Sequence, residues 1–447
     1  MDKLAHDLRF GSKSEKVSAA KELMERDRLY DKMQEMTRKE RIKAMDAVEK
    51  TPGELTVKQC ILLLKDTKAT VRDRVTKTLI LVAKDHVKIL VPAMKDPDAN
   101  VSGGVKTALV GIGPKVIPYV EPAAKQTDLR GAAFDVLTRL GEPSVPASIR
   151  LLEKGDQDVR MAAADSLGKV GSKKATLALL KATNDIKAVR RIAISSLCAI
   201  CDPRSLDLLV EVLGHTRDDG EVRARSARAL SVIGGPKAID ALTNALGDWD
   251  LKVKTSVISG LQRIGAPTVR PVIAAMSSGS QDVRRAGAAV LERIDSPESS
   301  SALVRLAGDS DPMIRASAAI GLGTQSVGVR TDILISLLSD KDGRVSDAAV
   351  GSLASMESRA VSALISVFRL SRGDVVKYQA ANALARIGSP AVPSLISALR
   401  TDKETSKWVV YTLGRTGDPR AKSELEKFTG ASDPEQAWVV KRALDRL

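Results

Sequence analysis

Along most of the chain, apolar positions recur in a fixed phase. Aligned on one leucine, the column reads Leu79, Leu109, Leu137, Leu167, Leu197, Leu230, Leu261, Leu291, Leu322, Leu353, Leu384, Leu413 and Leu444, with steps of 28 to 33 residues. The clearest copy is Asp158-Val159-Arg160-Met161-Ala162-Ala163-Ala164-Asp165-Ser166-Leu167-Gly168-Lys169-Val170-Gly171. At about 100° per residue, the positions four and eight before the leucine and three after it fall within about 80° of it, a single apolar stripe. The position eight before is apolar in eleven of thirteen copies, as in Val71, Val159, Val253 and Ile314. The position four before is small or β-branched, as in Ala163, Ala193, Val257, Gly287 and Ala380, which permits close helix approach. Glycine often follows the helix (Gly113, Gly141, Gly171, Gly234, Gly265, Gly388, Gly417), where a left-handed terminal turn needs it. Six residues after the leucine, prolines such as Pro143, Pro203, Pro236, Pro297 and Pro419 suit the entry of another helix. No segment alternates with period two for long enough to argue a strand. A fixed period of this size predicts a solenoid, in which each unit packs only on its neighbours.

The pattern covers residues 56–447. Residues 1–55 read as an atypical, charged helical cap, or alternatively as a docking arm. Ser14 to Leu23 looks like a degenerate copy of the repeat helix. Arg28 to Lys50 is expected to form one longer amphipathic helix carrying Met33, Met36, Ile42, Met45 and Val48, stopped by Thr51-Pro52-Gly53. Acidic residues at the start of the repeat helix (Asp128, Asp158, Glu221, Asp282, Glu404, Glu435) are expected to cap its N–H groups and to favour its positive end.

Composition changes this picture in two ways. The 447 residues carry 70 Lys plus Arg against 55 Asp plus Glu, a net charge of +15 spread over a large surface. Aromatic residues are only 2%, so the core must be Leu, Val, Ile and Ala. Three cysteines are too few for a disulfide framework, which makes a reducing, cytoplasmic setting the expectation. Neither a secretory leader nor an apolar run of the ~20 residues that would span a bilayer is evident.

The motif Asp-x-Val-Arg-x-x-Ala-Ala-x-x-Leu-Gly-x-x-Gly, at about 30 residues per copy, resembles the short HEAT repeat of the phycobilisome-lyase-like class. The resemblance implies an all-α, right-handed α-solenoid, a superhelix of about thirteen two-helix HEAT-like repeats. It also implies that the second helix of each repeat lines a concave surface. Some HEAT-like enzymes, the deoxyhypusine hydroxylases, bind iron through repeated His-Glu pairs. The three histidines here, His6, His86 and His215, are scattered and none precedes Glu, so neither that activity nor a metal is carried over.

Candidate chemistry lies on the second helix. Seven before the leucine stands a basic ladder: Arg72, Arg130, Arg160, Arg190, Arg223, Lys254, Arg284, Arg315 and Lys377. The expected role is structural, pairing with turn acids of neighbouring units while the stems pack on apolar atoms; a row of ligand-binding arginines is the sharper alternative. The solvent face carries Arg74, Lys77, Arg139, Lys169, Arg191, Arg225, Arg228, Arg263, Arg285, Arg293, Arg386, Lys407, Arg415 and Arg442, with fewer acids. It reads either as a solvated helix face or as a basic groove. Tyr378, Trp408, Tyr411 and Trp438 fall on the same face late in the chain, as anchors for a peptide or a base, or as a terminal cover. Trp249, before a repeat helix, reads as a local packing residue. Cys198 and Cys201 form a Cys-x-x-Cys, but they occupy the register of Gly168 and Gly171, so they read as small-residue fillers.

These readings converge on a non-catalytic scaffold or adaptor. It presents a basic surface to another protein with an acidic segment, and its expected contacts begin at Arg191 and run through Arg442. Binding of nucleic acid through phosphates is the alternative. No cofactor is expected.

Overall fold

In all but the last repeat helix the column leucine is withdrawn from water. In the computed structural model, every member from Leu79 to Leu413 is at most 1% exposed; Leu444, in the last helix, is half-buried. The structure describes residues 3–25, 28–215, 219–325, 330–401, 405–427 and 434–446. Among them every element is a helix, and they stack as an all-α solenoid of two-helix units.

The chain divides into two compact units, Met1–Asp207 and Leu208–Leu447. In the first, second helices stack in sequence: Lys13–Glu25, Arg38–Val48, Ala69–Val82, Ala99–Ile112, Arg130–Leu140, Gln157–Val170 and Lys187–Ile200. In the second the row is Gly220–Ile233, Leu251–Ile264, Gln281–Leu291, Pro312–Thr324, Gly343–Ser355, Asp374–Ile387, Ser406–Thr416 and Pro434–Leu444. The shorter first helices form a second layer, and the apolar stripes meet between the layers.

The helix expected over residues 28–50 is broken in two, Leu29–Gln34 and Arg38–Val48. A capping box accounts for the break: the Thr37 N–H donates to Glu40 Oε2 at 2.8 Å, which starts a new helix at Arg38. The stacking also reaches back through residues 1–55. Val48 fills the leucine slot, fully buried, and Arg41, seven before it, pairs with Asp66.

That pair repeats as the ladder. Arg160 bonds Asp185 through two N–H groups (2.7 and 2.9 Å), and Arg315 holds Asp340 the same way (2.7 and 2.7 Å). Arg223 pairs with Asp248. In all four cases the acid lies 25 residues on, in the turn before the next repeat helix. In these four repeats the arginine ties its second helix to the following unit, whereas Arg72 bonds the carbonyls of Asp66 and Thr67 in the turn before its own helix.

Caps sit earlier than the sequence suggested. Asp156, Asp219 and Ser280 accept the N–H groups of Val159 (2.8 Å), Glu221 (3.0 Å) and Val283 (3.4 Å), while Asp158, Glu221 and Asp282 lie inside the first turn. There they meet the positive helix end without capping it. Glu404 and the side chain of Glu435 lie outside the described residues. All seven expected terminal glycines have positive φ, from 67° to 89°. Cys201 takes that conformation without being glycine, at φ 51°.

Candidate functional site

The outward face of the second helices differs between the two units. In the first, three basic side chains are answered by acids, while Lys77, Arg139 and Arg191 are exposed with no carboxylate at ion-pairing distance among the described residues. Arg74 bonds Asp46 (2.7 Å) and Glu49, Lys106 meets Asp135 at 2.9 Å, and Lys169 meets Asp165 at 2.7 Å. Arg139 donates to Thr107 Oγ1 at 3.1 Å. Arg191 is exposed on Lys187–Ile200.

The second unit holds the other expected contacts, in three settings. Arg225 and Arg228 share Glu221, at 3.1 and 3.6 Å, and Arg285 is bound to the buried Asp311 at 2.6 Å. Arg263, Arg293 and Arg386 are exposed, with no carboxylate at ion-pairing distance among the described residues. Glu292, beside Arg293, is half-buried, and burial pushes its carboxyl above the ordinary value.

The third setting is aromatic. Tyr378 is 45% exposed and tilts against Tyr411, with ring centroids 6.2 Å apart. Trp408 meets Tyr411 edge-on at 6.0 Å and stacks on Phe368 at 6.3 Å. Phe368 is a buried residue of the first helix Ser358–Leu370, so Trp408 is half-buried rather than presented to solvent. Lys407 next to it is half-buried as well. Arg415 is held by the Tyr411 hydroxyl at 3.2 Å and by Asn382. Trp438 is 58% exposed, with the Arg442 guanidinium 5.1 Å from its ring centre. A cavity of about 150 Å³ lies between Tyr411 and Trp438, walled by Val439, Arg442, Ala443 and Arg446.

Trp249 packs locally, as expected, though it stays open to solvent. It is 72% exposed, because it sits in the turn ahead of its helix rather than on the apolar stripe. Its packing partner is Arg223, 5.3 Å from the ring centre. The Asn382–Arg415 link was missed in sequence; the only available signal was that Asn382 and Arg415 occupy outward positions of adjacent second helices.

The cysteines carry no assembled chemistry. Cys60 is fully buried, and burial, aided by Glu49, pushes its thiol up to about 12. The Cys201 thiol donates to the Cys198 carbonyl at 2.9 Å. Among the described residues, no three His, Cys, Asp or Glu side chains form a metal-binding group, and no helix is long and apolar enough to cross a membrane.

A family model for HEAT repeats matches residues 123–187, 177–262, 269–354 and 361–445. No curated protein matches the chain in sequence. Among solved structures, the chain is similar to the karyopherin Kap121p bound to the extreme C-terminus of the protein phosphatase Cdc14p, with a TM-score of 0.53 and 12% identity. It is similar to Kap121p bound to Nup53p as well, with a TM-score of 0.51. Both alignments cover 99% of this chain and 56% of the karyopherin, so the chain spans little more than half of that protein and the likeness is one of fold. A human deoxyhypusine hydroxylase is matched at a TM-score of 0.25 and 18% identity, over 55% of this chain and 97% of the enzyme, too low to argue from.

Proposed function

We propose that this chain, which belongs to the HEAT-repeat family, is a non-catalytic scaffold that binds another protein along its row of second helices. The observation that carries this reading is the coincidence, on one row, of exposed arginines without carboxylate partners and of exposed aromatic rings. Arg263, Arg293 and Arg386 supply the first; Tyr378 and Trp438 supply the second. Exposed aromatic residues anchor interfaces, and unneutralised arginines steer and orient acidic partners. The karyopherin structures with the same fold hold protein segments, which supports a protein as the partner. On the family's geometry this row lines a concave surface, and a period of about 30 residues, shorter than the ~40–47 of the usual HEAT unit, supports assigning the repeats to a short HEAT class. Three free cysteines suit a reducing compartment.

Phosphate binding is the second reading, favoured by the same unpaired arginines and by the +15 net charge. Fluorescence anisotropy with an acidic peptide, duplex DNA and single-stranded RNA across a salt series separates the two. A protein partner predicts peptide binding that persists at physiological salt and weakens at least about tenfold in Trp438→Ala. Tight nucleic-acid binding with a steep salt slope, indifferent to Trp438→Ala, overturns the scaffold reading.

A further inference from the structure

We infer that the second unit reads one extended acidic segment in two separated places. A carboxylate-rich stretch sits on Arg263 and Arg293, an apolar or aromatic side chain docks at Tyr378, Tyr411 and Trp438, and the part between is not read. This rests on the proposal above that the row of second helices is a protein-docking face.

The first place is electrostatic. Arg263 and Arg293 each stand two residues after their column leucine, Arg263 within Leu251–Ile264 and Arg293 in the turn that follows Gln281–Leu291; these two helices pack directly on one another. Two exposed guanidinium groups in neighbouring repeats, neither in an ion pair with a described carboxylate, concentrate positive potential where a carboxylate can be held bidentately.

The next two second helices differ in kind. On Pro312–Thr324 the outward residues include Ala316, Ser317 and Ile320; on Gly343–Ser355 they include Ala348 and Gly351. Arg344 is chelated by Asp342, at 2.8 and 3.0 Å, and so offers no free charge. Asp347 is exposed there and repels a carboxylate. A Cβ built at Gly351 would meet nothing within 4 Å, so the passage is open. This stretch admits a chain without fixing its side chains, and it disfavours acids.

The second place begins at Asp374–Ile387. The Tyr378–Tyr411 pair and the notch between Tyr411 and Trp438 offer apolar surface held by packed rings and by Arg442. Four helix steps separate Gln281–Leu291 from Ser406–Thr416, and at roughly 8–10 Å per step the two places lie roughly 32–40 Å apart. An extended chain advances about 3.3–3.6 Å per residue, so the partner should carry its acidic cluster and its anchor about 9–12 residues apart.

The test uses the full chain and fluorescein-labelled peptides that join a Glu block to a Phe-Leu-Trp block through a Gly/Ser spacer of about 4 or about 24 residues. The short spacer reaches at most about 14 Å and cannot bridge the two places, whereas the long one can. The expected result is at least about tenfold tighter binding of the long-spacer peptide, because both blocks then engage together. That advantage disappears in the Arg263→Glu/Arg293→Glu variant and in Trp438→Ala, while each variant still binds the block it does not touch. All three positions are exposed, and circular dichroism confirms that the variants are folded. Equal affinity for both spacers, still lost in the variants, overturns the two-place reading and leaves the docking face standing. No peptide binding, with duplex DNA bound instead, overturns both.

Discussion

The two units are built alike inside and differ outside. Both bury the same leucine column, and both tie successive repeats with the Arg–Asp link. On the outward face both units mix the two cases: Arg74, Lys106 and Lys169 of the first are answered by acids while Lys77, Arg139 and Arg191 are exposed without one, and Arg225, Arg228 and Arg285 of the second are answered. On the second, Arg263, Arg293 and Arg386 are unanswered, and the aromatic residues gather there. A solenoid constrains only the positions that touch a neighbouring unit. Its outward positions are free to vary, so that is where one stretch of repeats gathers the aromatic side chains Tyr378, Trp408, Tyr411 and Trp438.

The comparison is sharpest in the ladder itself. Arg223 is fully buried, and its partner Asp248 is 6% exposed; Arg160 and Asp185 make the same link at 24% and 21%. Asp248→Ala leaves a cation without its carboxylate in a dry site and should cost about 3–5 kcal/mol. Asp185→Ala should cost clearly less, because Arg160 can turn to water. Urea unfolding of the two variants measures both. Equal losses would mean that burial does not distinguish the two links.

A smaller effect should be the same in both units. Successive second helices touch where a glycine one residue after the leucine meets a serine one residue before the next. A Cβ at Gly168 would lie 2.4 Å from Ser196 Oγ and 2.9 Å from its Cα; one at Gly323 would lie 2.4 Å from Ser352 Cβ and 2.9 Å from its Cα. Gly168→Ala and Gly323→Ala should each destabilise by about 1–3 kcal/mol, since backbone must move to make room. Ser196→Gly, added to Gly168→Ala, should restore part of the loss. A large difference between the two alanine variants would show that the units are not equivalently packed.

What the sequence disclosed follows the same division. The leucine column, the terminal glycines and the pairing of Arg130, Arg160, Arg223 and Arg315 with acids of the neighbouring unit were legible, because repetition averages out local noise: the leucine recurs thirteen times, the glycine seven. The ladder's N-terminal member was not: Val48 replaces the marker leucine, so Arg41 escaped notice although it lies in register. The break at Thr37 was missed because the capping box was outweighed by continuous helical periodicity on either side. On the face, Trp408 looked equivalent to Trp438. Phe368, in the other helix layer, makes the difference, and a contact between layers leaves no mark in a pattern read along one helix.

The smallest effect concerns acid, and it tests whether the basic face of the second unit is partly engaged in holding the fold. Burial pushes the Asp311 carboxyl up, but the Arg285 guanidinium, Gln281 and the Met313 N–H together outweigh burial and hold it down to about 2, against an ordinary 3.8. A carboxyl whose folded value lies below its unfolded one contributes stability that is present above about pH 4 and is lost as pH falls through about 2. Asp311→Asn should therefore lower the melting temperature by a few degrees at neutral pH, and the gap to the parent should close as pH approaches 2. Thermal unfolding across that range measures it. Asparagine can still accept the Met313 N–H as a cap. A gap that persists undiminished at low pH would place the contribution of Asp311 in shape rather than charge, and would return Arg285 to the set of arginines available to a partner.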